Sequence, residues 1–464
     1  MLESPARTRR FAGCVAVLLA CVMGKAALAA NVASPPNMIF IMADDLGYAD
    51  LGVFGSHHIS TPNLDQLARD GLKMTQGYAN SAVCSPSRAA LLTGKYQQRF
   101  LFGLEEPAGP NRAAPKGLQT GGATIASVLQ EQGYYTALIG KWHLGPPPES
   151  GPIQQGYDYF YGLPGGAADY FLHRAGQNSN SGVDGLYQNN SAVTREGYLT
   201  RIFADETIDI IERSDARKPF FISLHFNAPH WPWQGPHDEG KSVDRASLWD
   251  KESGTVEKYA EMVESMDANI GRIMAALQEK GIAENTIVIF TSDNGGERFS
   301  DTWPLVGVKG ELLEGGIRVP VIVRWPAKIA PGQTSDQVIA SMDFAPTLLA
   351  AAGGKVEKRD FDGVNLLPQI IGDKKNRERT LYWRFRSHDQ AAVRRGDFKY
   401  VRIAGEEFLF NVAEEPRERA NLKSRRPELL DELRGLYEKW DDSVLPYPDE
   451  SFSEDVTEGY VDRY

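Results

Sequence analysis

The amino-acid sequence predicts an α/β protein: a mostly parallel central sheet flanked by helices, then a smaller C-terminal α+β subdomain with a short antiparallel sheet. Three observations carry this. Four continuous apolar runs, 37–43, 134–139, 219–226 and 286–292, lack the alternation of a half-exposed strand and read as strands buried on both faces. Each run ends in a polar cluster, as in an open sheet whose ligands bind beyond the carboxyl ends of its strands. After residue 372 the pattern shifts to short strand-like segments and one helix. The 464 residues suffice for one large unit and a smaller one.

Composition narrows the class. Hydrophobic and charged contents of 42% and 24% are those of a globular protein, and a net charge of −11 argues against a general nucleic-acid binder. An anionic small substrate stays compatible, because the potential inside a cleft can oppose the overall charge. Arg7, Arg9 and Arg10, the apolar core from Phe11 to Met23, and Ala27-Leu28-Ala29 read as an export signal over residues 1–29. The chain is then periplasmic or secreted. Leu18-Leu19-Ala20-Cys21 offers a second route, a lipid on Cys21. No later stretch is long and apolar enough for a transmembrane segment. With Cys14 and Cys21 in the signal, Cys84 has no disulfide partner in the mature chain. That leaves intermolecular pairing, a reactive thiol or a modified residue.

Taken in order, the run 37–43 ends in Asp44-Asp45-Leu46-Gly47. Two adjacent carboxylates where a buried strand emerges repel unless a cation lies between them; in a solvated loop the pair is unremarkable. Thr61 and Pro62 open a helix as N-cap and first-turn residue. A strand from Met74 to Asn80 delivers the chain to Cys84-Ser85-Pro86-Ser87-Arg88, and an Ala/Leu helix runs from there to Gly94. Cys84 therefore sits at a helix N-terminus, which favours an anion, and Arg88 shares its face one turn on. On position alone, a buried packing cysteine is the better fit.

A loop over 105–122 and a helix over 123–132 lead to the second apolar run and Gly140-Lys141-Trp142-His143-Leu144-Gly145. Extended backbone puts Lys141 and His143 on one side, where a cation and an imidazole can bind an anion and move a proton. Residues 151–198 read as a long loop over the mouth of a site, with Asp169, Tyr170 and His173 as candidate contacts or as loop filler. After a helix over 199–213, the third run ends in Asn227-Ala228-Pro229-His230-Trp231-Pro232-Trp233. Trp231 and Trp233 are candidates for stacking on a ring, and His225 reads as a core histidine. The stripe Tyr259, Met262, Val263, Met266, Ile270, Ile273 and Leu277 marks an amphipathic helix over 256–280. The fourth run ends in Asp293-Asn294-Gly295-Gly296, whose oxygens can join those of Asp44 and Asp45 around a hard cation. Lys309 follows, and Arg318 reads as structural. A helix over 343–352, a charged linker over 372–379, four strands (381–385, 391–395, 398–403, 407–411) and a helix over 427–440 complete the pattern.

Cys84-Ser85-Pro86-Ser87-Arg88 with Leu92-Thr93-Gly94 resembles the signature of the type I sulfatases, in the alkaline phosphatase superfamily. Asp44-Asp45-Leu46-Gly47, Gly140-Lys141-Trp142-His143-Leu144-Gly145, Ala228-Pro229-His230, Asp293-Asn294 and Lys309 continue it. The resemblance implies an alkaline-phosphatase-like sandwich over residues 30–371 and a C-terminal subdomain over 372–464. It implies hydrolysis of sulfate esters, aryl or carbohydrate, by a Cα-formylglycine made from Cys84 by a maturation enzyme. It implies a divalent cation, Ca²⁺ or Mg²⁺, on Asp44, Asp45, residue 84, Asp293 and Asn294. Arg88 and Lys141 are then expected to hold the nucleophile, with Asp293 helping to deprotonate it. His230 and Lys309 serve the leaving group, and His143 releases sulfate. Substrate-binding residues stay unassigned. A phosphate or phosphonate ester hydrolase of the same superfamily and a non-catalytic binder of sulfated glycans are the other readings.

Overall fold

The four apolar runs lie side by side. A computed structural model describes residues 1–2, 34–106, 117–174, 185–240, 253–358 and 360–449. The export signal and the end of the acidic tail lie outside the described residues. The runs form β1 (Asn37–Ala43), β3 (Tyr135–Lys141), β7 (Phe220–His225) and β8 (Thr286–Ser292), in the spatial order β8-β1-β7-β3, all parallel. Their carboxyl ends therefore meet at one edge of the sheet, as expected of an open α/β fold.

β2 (Leu72–Tyr78) and β9 (Arg318–Arg324) extend the sheet beyond β8, with β9 antiparallel to both β8 and β2. On the other side β4 (Tyr159–Leu163) pairs parallel with β3, and the hairpin of β5 (Leu186–Gln188) and β6 (Ser191–Val193) follows. The stretch read as one loop over 151–198 thus contains three strands. Short strands without sustained alternation carry little periodic signal, so pairing partners decide them.

Successive side chains point to opposite faces, and each face has its own core. Ile39, Ile41, Ile139, Leu224 and Phe290 pack with α1 (Pro62–Arg69), α4 (Leu199–Arg213) and α5 (Val256–Glu279). Met38, Phe40, Leu138, Phe221 and Ile289 pack with α2 (Cys84–Thr93), α3 (Ile125–Gln130) and α7 (Phe344–Ala351). The predicted stripe of α5 is buried as expected. Thr61 precedes α1 but its side chain does not cap it. Asp267 of α5 does so from a distance, accepting from the backbone N–H groups of Asn63 and Leu64 at 3.2 and 2.7 Å. Thr61 Oγ1 instead accepts from Gly52 N at 2.9 Å.

The predicted C-terminal sheet is β12 (Thr380–Phe385), β13 (Gln390–Arg395), β14 (Phe398–Ile403) and β15 (Glu406–Asn411), an antiparallel meander covered by α9 (Pro427–Asp441). It buttresses the central sheet: Trp383 Nε1 donates to Ala79 O at 2.8 Å, and Gln390 Nε2 donates to Gly310 O at 2.9 Å. Between the two sheets, buried Lys399 lies 3.0 Å from Glu314 Oε1 and 2.9 Å from Glu418 Oε1, while Arg318 reaches Glu314 Oε2 at 3.3 Å. Arg318 is structural, as read from the sequence.

Burial pushes the Glu418 carboxyl up to about 7; Lys399 opposes this and the Glu314 charge adds to it. A folded pKa above the ordinary 4.5 means that the folded state binds the extra proton. This group's stabilising contribution is complete below pH 4.5 and is lost as pH rises towards 7. Glu418→Gln is expected to remove that decline, so its stability relative to the wild type rises by about 1–3 kcal/mol between pH 5 and 8. Urea unfolding of both proteins across that range checks it; parallel curves refute it.

Candidate active site

Each strand end turns abruptly to deliver its polar group. Asp44 follows β1 directly, and Asp45 takes a left-handed φ of 65°, so the two carboxylates diverge instead of running along the strand. Backbone bonds tie the strand ends together: Asp44 N donates to Ala228 O at 3.1 Å, Asp293 N to Ala43 O at 3.2 Å, and Asp45 N to Asp293 Oδ1 at 3.2 Å. Gly140 permits the tight approach of β3 to β7, since a Cβ there would lie 1.9 Å from His225 O. Gly295 does the same after Asn294, where a Cβ would meet Gly315 O at 1.9 Å.

Cys84 is the first residue of α2, as expected, and no side chain caps that helix. Its Sγ–H donates to Asp45 Oδ1 at 3.7 Å. Arg88, one turn on and 1% exposed, spans the site floor. Its Nε and Nη2 lie 2.9 and 2.8 Å from Asp293 Oδ2, Nη2 lies 3.3 Å from Asp44 Oδ1, and Nη1 donates to Lys141 O at 3.1 Å. Lys141 Nζ lies 2.5 Å from Asp44 Oδ2, and Lys309 Nζ 2.6 Å from Asp45 Oδ2. His230 Nε2 stands 3.6 Å from Asp45 Oδ2. Residues from four strand ends, one helix start and one loop thus surround a single spot.

His143 joins them, but not by strand alternation. β3 stops at Lys141, and His143 has a left-handed φ of 59°. Its side chain is half-buried, and the buried Nδ1 has no hydrogen-bond partner among the described residues. His225 is the core histidine expected, held by Ser223 Oγ at 3.0 Å and Lys141 O at 3.3 Å. Asp169, Tyr170 and His173 turn inward as loop organisers. The Asp169 carboxylate accepts from three backbone N–H groups, Tyr170 bonds to Asn227 O and His230 O, and His173 Nε2 bonds to Gly197 O. Trp233 is buried against Phe299, and the Trp231 ring stacks on His230. Glu297 was not singled out from the sequence; its Oε2 is 3.4 Å from Lys309 Nζ. The Asp-Asn-Gly-Gly-Glu string gave no periodic or spacing signal for it.

The electrostatics explain why so many charges are tolerated. Burial pushes Asp44 up to about 8, with Asp293 and Asp45 adding to it and Lys141 and Arg88 opposing. Burial also opposes ionisation of Asp45, yet Lys309 and Lys141 outweigh it and hold Asp45 below the carboxylate range. Burial lowers His230 to about 3 and His143 well below its ordinary value, with Lys141 adding to both, so both rings are neutral.

These residues suit a divalent cation. Asp44, Asp45, Cys84 and His230 present ligand atoms all within 4.8 Å of one another. Asn294 Nδ2 donates to Asp45 Oδ1 at 2.8 Å and to Gly295 O, leaving Asn294 Oδ1 buried without a partner. His230 Nδ1 faces Trp231 O at 2.5 Å and must carry the hydrogen, so the bare Nε2 faces a carboxylate oxygen. Opposed lone pairs of that kind are what a cation relieves.

Comparison with known proteins fits this geometry. Residues 36–354 match the family model described as "Sulfatase", and residues 309–435 match "N-sulphoglucosamine sulphohydrolase, C-terminal". Human N-acetylgalactosamine-6-sulfatase is 33% identical over 77% of this chain and 70% of its own length. Human arylsulfatase A is 34% identical over 82% of this chain and 77% of its own. A crystal structure of Ps i-CgsB in complex with k-i-k-neocarrahexaose superposes with a TM-score of 0.81 at 31% identity, covering 91% of this chain and 96% of that one. The fold is thus shared with that structure over most of both chains. The chain belongs to the sulfatase family and is a sulfuric ester hydrolase.

Proposed function

We propose that this sulfatase is an exported enzyme that cleaves sulfate esters of carbohydrates, using a formylglycine made from Cys84 by a maturation enzyme, with Ca²⁺ or Mg²⁺ bound. One observation carries the reading: Asp44 and Asp45 present carboxylate oxygens within 4.8 Å of the Cys84 sulfur at the start of α2, and Asp293 and Asn294, from the adjacent strand end, are hydrogen-bonded to Asp45. A set made up mainly of carboxylate and amide oxygens beside residue 84 favours a hard cation, and Ca²⁺ foremost. A second observation speaks for modification. Burial pushes the Cys84 thiol well up, although Lys141 and Lys309 oppose this, and an un-ionised thiol is a poor nucleophile.

A bound cation supplies Lewis-acid stabilisation to the sulfate oxygens and the nucleophile. The formylglycine hydrate supplies two hydroxyls on one carbon, one to attack sulfur and one whose proton can be removed to release sulfate. The chain's own groups do the rest. Arg88 and Lys141 fix positive charge beneath residue 84, where negative charge develops. Asp293, held by Arg88, accepts a proton from the attacking hydroxyl. Lys309, whose pKa is raised by Asp45 and other nearby anions against the cost of burial, is an ammonium able to protonate or hold the departing alkoxide. His230 stands on the same side and can serve the alkoxide only once Nε2 has gained a proton, since Nδ1 is held by Trp231 O. His143, neutral and unpartnered at Nδ1, takes the proton of the second hydroxyl. The names of two relatives favour carbohydrate: one is an N-acetylgalactosamine-6-sulfatase, and the other carries a neocarrahexaose. Residues 1–29 support export, and no helix among the described residues is long and apolar enough to cross a membrane.

Intact-mass measurement on protein made with a maturing enzyme, paired with aryl sulfate and aryl phosphate assays, tests the proposal. Conversion is expected to remove about 18 Da at residue 84, and sulfate turnover is expected to depend on it. A phosphate rate exceeding the sulfate rate would favour the esterase reading, and unconverted Cys84 with glycan binding alone would favour a non-catalytic binder.

A further inference from the structure

We propose that Trp303 and Arg417 form an outlying subsite for a second, anionic sugar unit of the glycan, beyond the sugar whose sulfate is cleaved. The inference rests on the carbohydrate reading above.

Aside from Met1 and Leu2, five large apolar side chains are strongly exposed among the described residues: Leu101, Leu172, Val256, Trp303 and Val306. Three of them stand on loops that end in the active site. Leu172 follows Tyr170, whose hydroxyl bonds to His230 O at 2.9 Å. Trp303 and Val306 belong to the loop that leaves the site at Asn294 and returns to it at Lys309. The ends of that loop are tied together, Lys309 N donating to Gly296 O at 2.9 Å and Lys309 Nζ lying 3.4 Å from Glu297. Trp303 is six residues from both Glu297 and Lys309, so full extension limits it to about 20 Å from the site, and a closed loop brings it nearer.

The loop is fixed rather than loose. Asp301 O accepts from Ala49 N at 2.8 Å, Asp301 N donates to Asp50 Oδ1 at 2.7 Å, and Trp303 N donates to Asp301 Oδ1 at 2.8 Å. Asp50 is itself buried and anchored by Gly47 N and the Tyr259 hydroxyl. A tryptophan held out at 58% exposure on a rigid loop costs apolar hydration that packing does not offset. The guanidinium of Arg417, from the C-terminal subdomain, lies over one face of the indole, with Cζ 4.2 Å from the ring centroid. Among the described residues no carboxylate pairs with Arg417. Trp303 stays 58% exposed beneath this cation, so aromatic surface for the C–H face of a sugar and a guanidinium for an oxyanion are presented side by side. Aromatic surface beside an unpaired guanidinium is the chemistry that recognises a sulfated or carboxylated saccharide.

The test compares a panel of sulfated hexasaccharides, k-i-k-neocarrahexaose among them, with 4-nitrophenyl sulfate. For a hexasaccharide that the wild type turns over, Trp303→Ala and Arg417→Ala are each expected to lower the ratio of hexasaccharide to aryl sulfate kcat/KM by about tenfold, chiefly through KM. Trp303→Phe should recover most of the loss. Binding of the same hexasaccharide to Cys84→Ala protein, followed calorimetrically, should weaken in parallel. A ratio within twofold of the wild type overturns the subsite, whether both substrates fall together or neither does. Failure of the wild type to bind or cleave any of the hexasaccharides removes the carbohydrate reading itself, and the subsite with it.

Discussion

Cys84→Ala is expected to lower turnover of an aryl sulfate by at least about 10⁴-fold, because on the proposed mechanism the reaction then loses its nucleophile. The fold should survive. Cys84 is 2% exposed, but the change removes a single sulfur whose one hydrogen bond is the 3.7 Å contact to Asp45. The stability cost is therefore about 1 kcal/mol. Kinetics, unchanged circular dichroism and urea unfolding check the three parts of the expectation. Turnover within tenfold of the wild type would mean that another group attacks sulfur.

Arg88→Leu is expected to do comparable damage by a different route. The guanidinium holds Asp293, Asp44 and the Lys141 carbonyl at once. Its removal leaves buried carboxylates without their principal partner, at a cost of about 3–5 kcal/mol in stability. It also takes fixed positive charge from beneath residue 84, which is expected to lower kcat by about 10²–10³-fold. Urea unfolding and kcat on an aryl sulfate measure the two effects separately. A stability loss below about 1 kcal/mol would show that Lys141 and Lys309 alone hold the carboxylates in place.

Much of this site was legible in the chain because strands and helix starts are local. A buried parallel strand needs a continuous apolar run, so β1, β3, β7 and β8 lie where the runs do. A helix with Pro86 in its first turn and Gly94 at its end fixes Cys84 at the N-terminus. The misreadings share a cause. Alternation reaches two residues past the strand end at His143, whose backbone is left-handed. Asp267, not Thr61, caps α1, and it comes from a helix some two hundred residues away. Asp169, by contrast, is the loop residue that the sequence favours: its carboxylate is taken up by the backbone of its own loop.

By itself the sequence determined which segments become strands, which residues stand at their ends, and that one lone cysteine opens a helix beside an arginine. Only the tertiary structure decided that β8, β1, β7 and β3 are neighbours, and that β9 runs against them. It alone brought Lys309, His230 and Asp45 within a few ångströms and set the C-terminal sheet behind the Lys309 turn. The physical reason is range: dihedral preference and side-chain period act over a few residues, whereas strand order and charge compensation are settled by contacts between residues far apart in the chain.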